Sequence, residues 1–380
     1  MNGQRAPNGR GRIAEFDLLR GAAIVGVVFL HAYFTPWPEV SKGGLVAIHA
    51  SHLVANGAVP LFLFISAYLQ GAAQKEGMLG YLARRSRRIW IPAAIWMLAT
   101  FAYRTVNDGA SLGLIREFAL FNISGQFYFV WLLLVFSAVL TQGWRVSERW
   151  LPPTVAGAFA INLVMIGWYA EQPSISGYEA VFAYRNPLVW VFFPAFGYAL
   201  GRRGLSAMPT RVVHHAALVM AMAATVYLYR GIARDTWPVS YFGVSVFLFS
   251  AAGTVVYPSL ARLALRSVAI ARPLDGLSHY ALAIYLIHMP FVMGFGTKEI
   301  LGNGAAWSNY WVLLMANFAV GLFVSLAVIR EMEKLSPGLS GWLFGTTRVR
   351  REVEAARPNE APSADVPGVD ERPVKEPLAS

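Results

Sequence analysis

Ten long apolar runs, separated by short polar loops, constrain this chain more than any other feature of its sequence. Most are close to the roughly 20 residues that an α-helix needs to cross a bilayer. Only 14% of the residues are charged, against about 25% in an average soluble domain, too few to cover a soluble surface. We therefore predict an all-α, polytopic helical membrane protein and exclude a soluble globular enzyme. The runs lie near 17–35, 53–73, 89–106, 127–143, 151–170, 187–201, 211–229, 239–258, 277–296 and 309–329.

The distribution of Lys and Arg predicts the orientation of these spans. With the N-terminus in the cytoplasm, the cytoplasmic segments hold 24 Lys and Arg and the outer loops hold 7. Basic residues accumulate on the cytoplasmic side of membrane proteins, so we expect a multi-pass membrane protein with both termini there. The net charge of +11 follows from this bias. Membrane lipids are therefore the expected partners, and nucleic acid is not.

Composition divides the chain into a membrane domain, 1–345, and a tail, 346–380. The tail has five prolines, thirteen charged residues and few large apolar side chains, so we expect a disordered cytoplasmic segment. The chain has no cysteine, which excludes disulfides and thiolate chemistry. No His, Asp and Glu cluster has the spacing of metal ligands, and we expect neither a metal nor a permanently bound cofactor.

The first span carries three ionisable residues, Asp17, Arg20 and His31. Such groups are costly inside a bilayer and commonly mark function. Asp17 and Arg20 are one turn apart and can pair. Arg20 and His31 are eleven residues apart, which puts them on one helical face and about 16 Å apart in depth. Histidine is the usual general base near neutral pH. The alternatives are that Arg20 extends to the headgroups and that His31 only bonds a neighbouring helix.

The segment YLARRSRRIWIP places Arg85 and Arg88 one turn apart at the membrane surface. The planar guanidinium matches phosphate oxygens, so the pair could clamp a phosphate-bearing ligand. Alternatively these arginines only set the orientation of the chain, as we expect for Arg84 and Arg87.

Other polar residues in the spans are more ambiguous. Ser66 alone is typical of a small packing residue, and His288, with Tyr285 one turn earlier, either bonds a backbone carbonyl or lines a substrate site. His49 and His52 fall outside the apolar runs, so we expect them to be solvated in an outer loop.

These stretches together resemble the membrane acyltransferase-3 family over most of residues 12–330. The matching features are Arg20, ten residues and His31; PLFLFISAYL; the Arg-x-x-Arg of Arg85 and Arg88; FYFVWL; FFPAFGYALGRR; and SHYALAIYLIHMP. The resemblance implies that His31 is the base and Arg20 its partner in the motif, with Asp17 as a further catalytic residue, and that Arg85 and Arg88 hold acyl-coenzyme A. Ser66, Tyr285 and His288 would line the cavity. An alanine replaces the family's glycine after Ser66, which puts the close backbone packing expected there in doubt.

The implied activity is transfer of an acyl group, most often acetyl, with succinyl as a second candidate. It would pass from cytoplasmic acyl-coenzyme A, the co-substrate, to a hydroxyl of a glycan or glycolipid. Two segments look closest to the branch that modifies bacterial exopolysaccharides, so glycan-synthesis machinery is a candidate partner and the bacterial inner membrane is the implied location. The alternatives are an exporter or flippase of polymer or lipid-linked sugar and a scaffold for a glycan synthase. Coupled carriers usually place carboxylates in the membrane interior, and this chain has none there.

Overall fold

The computed structural model describes residues 13–32, 41–73, 78–170, 177–204, 209–234, 242–289 and 310–346. These ranges contain helices and connecting turns and no β-strand. We number the α-helices in chain order: α1 Ala14–His31, α2 Lys42–Asn56, α3 Ala58–Ala72, α4 Met78–Arg85, α5 Ile91–Asp108, α6 Leu112–Ala119, α7 Tyr128–Leu140, α8 Leu151–Ala170, α9 Gly177–Arg185, α10 Phe192–Arg203, α11 Thr210–Arg234, α12 Val244–Ala264, α13 Val268–Ile287, α14 Tyr310–Ala319, α15 Ser325–Leu335 and α16 Pro337–Phe344.

The protein is a polytopic helical membrane protein, as predicted. Within the described residues, six helical stretches are long and apolar enough to cross a bilayer. They are Gly43–Ala72, Gly80–Asp108, Glu148–Ala170, Thr210–Gly231, Val244–Ala264 and Tyr310–Leu335. The count of ten spans and the cytoplasmic position of the termini stay predictions. Of the expected tail, Thr346 is buried, and residues 347–380 lie outside the described residues.

Glycines bring α3 and α10 into backbone contact. Gly197 and Gly201 form a Gly-x-x-x-Gly pair on α10, and a Cβ at either would lie well under 3.0 Å from a backbone carbonyl oxygen of α3. Small residues at this spacing let membrane helices approach closely, where van der Waals packing replaces the missing hydrophobic drive. The α3 helix, which carries Ser66, is thereby held against α10.

Helix α1 packs between α3 and α13, through an aromatic contact on one side and a backbone contact on the other. Phe16 lies edge-on to Tyr68 of α3 with ring centroids 4.6 Å apart. On the other side of α1, Gly21 lies so close to the Leu274 carbonyl of α13 that a Cβ would not fit. The position of α1 between α3 and α13 is therefore set by direct contact on both sides.

A buried arginine organises the turn that leads into α7. The Arg185 guanidinium donates hydrogen bonds to the carbonyl oxygens of Leu120, Phe121 (2.6 Å) and Val181 (2.8 Å). Burial lowers the pKa of Arg185 to about 10, so it stays charged at neutral pH. Phe121 has a φ of 56°, a strained backbone conformation for a bulky residue, and these bonds help to offset that strain.

Candidate active site

Asp17 and Arg20 form an ion pair on α1, with Arg20 Nη1 3.1 Å from Asp17 Oδ1. The charges of Arg85 and Arg88 lie close enough to repel that of Arg20. Three guanidinium groups therefore converge at this end of α1, which we call the arginine cluster (Arg20, Arg85 and Arg88). Guanidinium groups gathered in this way provide several N–H donors, so the cluster is suited to an anionic ligand.

Within the cluster, the Arg85 side chain is held in place by hydrogen bonds to other side chains of the protein. Its guanidinium donates to Tyr81 Oη at 2.8 Å and to Ser66 Oγ. Tyr81 in turn donates to Gln70 Oε1 at 3.1 Å, and Gln70 donates to the Ser137 carbonyl at 3.0 Å. The structure thus places Ser66 beside Arg85 as its hydrogen-bond acceptor.

Arg88 differs from Arg85 in its exposure. Its side chain is exposed, as are those of Arg84 and Arg87, whereas Arg85 is partly buried. Arg88 lies in a π-helical turn, Ser86–Trp90, that joins α4 to α5. Pro92, which has no N–H to donate to the Arg88 carbonyl four residues earlier, accounts for the local departure from α-helical bonding. Such turns occur frequently at functional sites.

The other end of α1 brings two histidines together, which we call the histidine pair (His31 and His288). Their ring centroids are 5.3 Å apart. His288 is fully buried, and its Nδ1 lies 3.0 Å from the Ile284 carbonyl and 2.9 Å from the Tyr285 carbonyl. Carbonyl oxygens only accept, so Nδ1 carries the proton and Nε2 keeps a lone pair. This buried Nε2 has no hydrogen-bond partner among the described residues.

Tyr285 connects the histidine pair to the start of α7. Its ring centroid lies 6.1 Å from that of His288, and its hydroxyl donates to the Gln126 carbonyl. The Gln126 side chain accepts a hydrogen bond from Ser124 Oγ at 2.5 Å, while its buried Nε2 has no partner in the part of the chain that the structure describes. Sequence reasoning missed Gln126, because a lone Gln before an aromatic run carries no pattern.

The structure corrects the expectation that His49 and His52 are solvated. Helix α2 begins at Lys42, eleven residues before the predicted span, so both histidines lie within a packed helix. They are 1% and 8% exposed. His52 Nδ1 lies 2.7 Å from Asn56 Nδ2 and 3.4 Å from the Tyr227 hydroxyl. Polar side chains that bond across helices are a common means of packing in membranes.

Comparison of the chain with known protein families found one matching family. The sequence model of a family described as an acyltransferase domain covers residues 13–330 of the chain, which includes every residue of the arginine cluster and the histidine pair. Comparison with curated proteins and with solved structures found no match. Among the described residues, no three His, Cys, Asp or Glu side chains are grouped as metal ligands would be.

Proposed function

The chain belongs to the acyltransferase-3 family and is a membrane acyltransferase, and from this premise we propose its donor, acceptor and base. The donor is cytoplasmic acyl-coenzyme A, most often carrying acetyl, and the acceptor is a hydroxyl of a cell-surface or exported glycan. The protein acts in the bacterial inner membrane with both termini in the cytoplasm, in the branch that modifies exopolysaccharides.

The arginine cluster supports the choice of donor. Coenzyme A carries several phosphate groups, and arginine binds phosphate oxygens through paired N–H donors. Arg88 is exposed at this end, and Arg85 is oriented by Ser66 and Tyr81. In this proposal Arg88 contacts the donor phosphates directly, while Arg85 and Arg20 supply the surrounding positive charge.

The histidine pair supports the choice of base and is the observation that carries the proposal. His31 takes the proton from the acceptor hydroxyl as its oxygen attacks the thioester carbonyl. The carbon–sulfur bond then breaks, and the coenzyme A thiolate leaves and takes up the proton that His31 holds, which restores His31 as the base. His288 is the positioning residue, since the Nε2 lone pair can accept a hydrogen bond from the N–H of His31 and leave the other nitrogen of His31 as the base.

A developing oxyanion needs an N–H donor near the thioester carbonyl. We assign this role to Gln126, whose buried side-chain nitrogen has no partner among the described residues and whose backbone holds Tyr285. The two centres are separated along α1 by roughly 16 Å, at 1.5 Å per residue. The flexible arm of the donor would cover this separation.

The test compares membranes that hold wild-type, His31→Ala or His214→Ala protein. Each is supplied with radiolabelled acetyl-coenzyme A, or succinyl-coenzyme A, and a crude glycan fraction. His214 is exposed on α11 and serves as the matched histidine control. We expect label in the glycan with wild type and His214→Ala, and at least a hundredfold less with His31→Ala, the usual loss for a general base.

Equal labelling by His31→Ala would refute the role of His31 and leave the enzyme class standing. No labelling by any protein, with both donors tried, would reject the donor and acceptor and favour a flippase that needs no acyl-coenzyme A.

A further inference from the structure

Helix α16 lies beyond residue 330, where the family match ends, yet it packs onto the arginine cluster's side of the bundle. Pro337 starts the helix after Ser336, and the chain turns back against α5 and α13. Phe344 is 2% exposed and stacks on Trp96 of α5, with centroids 5.7 Å apart and planes 24° apart. The indole N–H of Trp96 donates to the Leu343 carbonyl at 2.9 Å. The helix is therefore docked by its last turn.

The residue that ends α16 touches the turn that carries Arg88. Gly345 has a φ of 68°, a left-handed conformation that favours glycine. A Cβ at this position would lie well under 3.0 Å from the Arg88 carbonyl oxygen. The next residue, Thr346, is buried, and its hydroxyl lies 3.1 Å from that of Ser340. This hydrogen bond ties the segment after α16 to the helix. The close approach is thus a backbone contact that no other residue type would permit without movement.

This contact falls on the π-helical turn Ser86–Trp90, which carries Arg88. Pro92 has no N–H to donate to the Arg88 carbonyl four residues earlier, so the regular α-helical hydrogen bond cannot form there. A shift of this turn's backbone would move the Arg88 guanidinium with it. Gly345 packs against that carbonyl and limits this movement.

We propose that α16 and Gly345 form a clamp that positions Arg88, so that a segment outside the family domain sets the affinity for the acyl donor. This inference rests on the proposed function, in which Arg88 contacts the donor phosphates. Gly345 and Trp96 are positioning residues here, since they act through the backbone of Arg88.

The test measures steady-state kinetics of purified full-length protein with two donors, acetyl-coenzyme A and acetyl-pantetheine, which lacks phosphate. Gly345→Ala adds a Cβ against the Arg88 carbonyl. Gly109→Ala is the matched control, because Gly109 also has a positive φ, 83°, and nothing lies within 4 Å of its Cβ. We expect Gly345→Ala to raise the KM for acetyl-coenzyme A roughly tenfold, as for loss of one hydrogen bond to a charged group. Its kcat, and its KM for acetyl-pantetheine, should stay within twofold of wild type.

A milder variant covers the case in which Gly345→Ala does not fold. Trp96→Phe keeps an aromatic ring on Phe344 but loses the hydrogen bond to Leu343, and we expect about a threefold rise in the KM for acetyl-coenzyme A. An unchanged KM in the variants that fold, or an equal rise with both donors, would overturn the clamp.

The proposed function fails in a different way from the clamp. Direct binding of coenzyme A to the detergent-solubilised wild type is measured in parallel. If the wild type does not bind coenzyme A, the proposed donor is rejected. If the wild type and Gly345→Ala bind coenzyme A equally tightly, only the clamp is rejected.

Discussion

Replacing Gly201 by alanine should separate α3 from α10 and loosen the arginine cluster. The new Cβ would meet the Tyr68 carbonyl of α3 well inside 3.0 Å, with the Ala72 nitrogen at 3.1 Å. Both neighbours are backbone, so neither can rotate away. The two helices would have to part by roughly 1 Å to restore an ordinary contact, which begins near 3.4 Å. Ser66, two residues before Tyr68, would move away from Arg85 in the same displacement.

Two opposed contributions determine how Gly201→Ala changes the free energy of unfolding. Inserting a methyl group into a closely packed interface costs about 1–3 kcal/mol. Alanine also has the better helix propensity, which returns up to about 1 kcal/mol. Gly167→Ala in α8 is the matched control, because nothing lies within 4 Å of its Cβ and only the propensity gain applies. We therefore expect Gly201→Ala to be less stable than Gly167→Ala by about 1–3 kcal/mol.

The assay is equilibrium unfolding of the purified proteins in mixed micelles, followed by tryptophan fluorescence. The KM for acyl-coenzyme A is measured on the same preparations, and we expect it to rise in Gly201→Ala only. A Gly201→Ala protein as stable as Gly167→Ala would refute the close approach of α3 and α10. A destabilised Gly201→Ala protein with an unchanged KM would support the close packing of α3 and α10 but refute its effect on the position of Arg85.

Three further predictions concern the site itself and use the same transfer assay. Arg88→Ala should raise the KM for acyl-coenzyme A about tenfold or more, while Arg87→Ala should not; equal effects would reject a specific phosphate contact. His288→Phe should lower kcat roughly tenfold to a hundredfold, whereas His279→Phe, an exposed residue on the same helix, should leave it unchanged. Gln126→Ala should lower kcat about a hundredfold with little change in KM, and a normal kcat would remove it as the oxyanion donor.

Sequence reasoning succeeded where one helix contains the whole relationship. The pairing of Asp17 with Arg20 follows from the helical period alone, and the structure shows it at 3.1 Å. The two residues are close in the chain, so their distance depends on helix geometry and not on the arrangement of helices.

Contacts between distant helices were beyond that reasoning. His31 and His288 are far apart in sequence, and nothing in either span specifies that α1 lies beside α13. Ser66 was interpreted as a packing residue, since its partner Arg85 belongs to another element. His49 and His52 were misplaced because a weakly apolar helix start looks like a loop when judged by hydropathy. Helix order along the chain does not determine which faces meet in the bilayer.

Helix α1 carries residues of both the arginine cluster and the histidine pair, and its length sets the distance between them. Gly21 of α1 meets Leu274 of α13, and His31 meets His288 further along the same two helices, which therefore run parallel. The backbone contact at Gly21 resists sliding of α1 along α13 and so keeps His31 beside His288. The helical rise of α1 itself keeps Arg20 and His31 roughly 16 Å apart. In the proposed mechanism, the donor reaches across this span with its own flexible arm. We therefore expect substitutions in the arginine cluster to act mainly on KM, through binding of the donor phosphates, and substitutions in the histidine pair to act mainly on kcat, through proton transfer after binding.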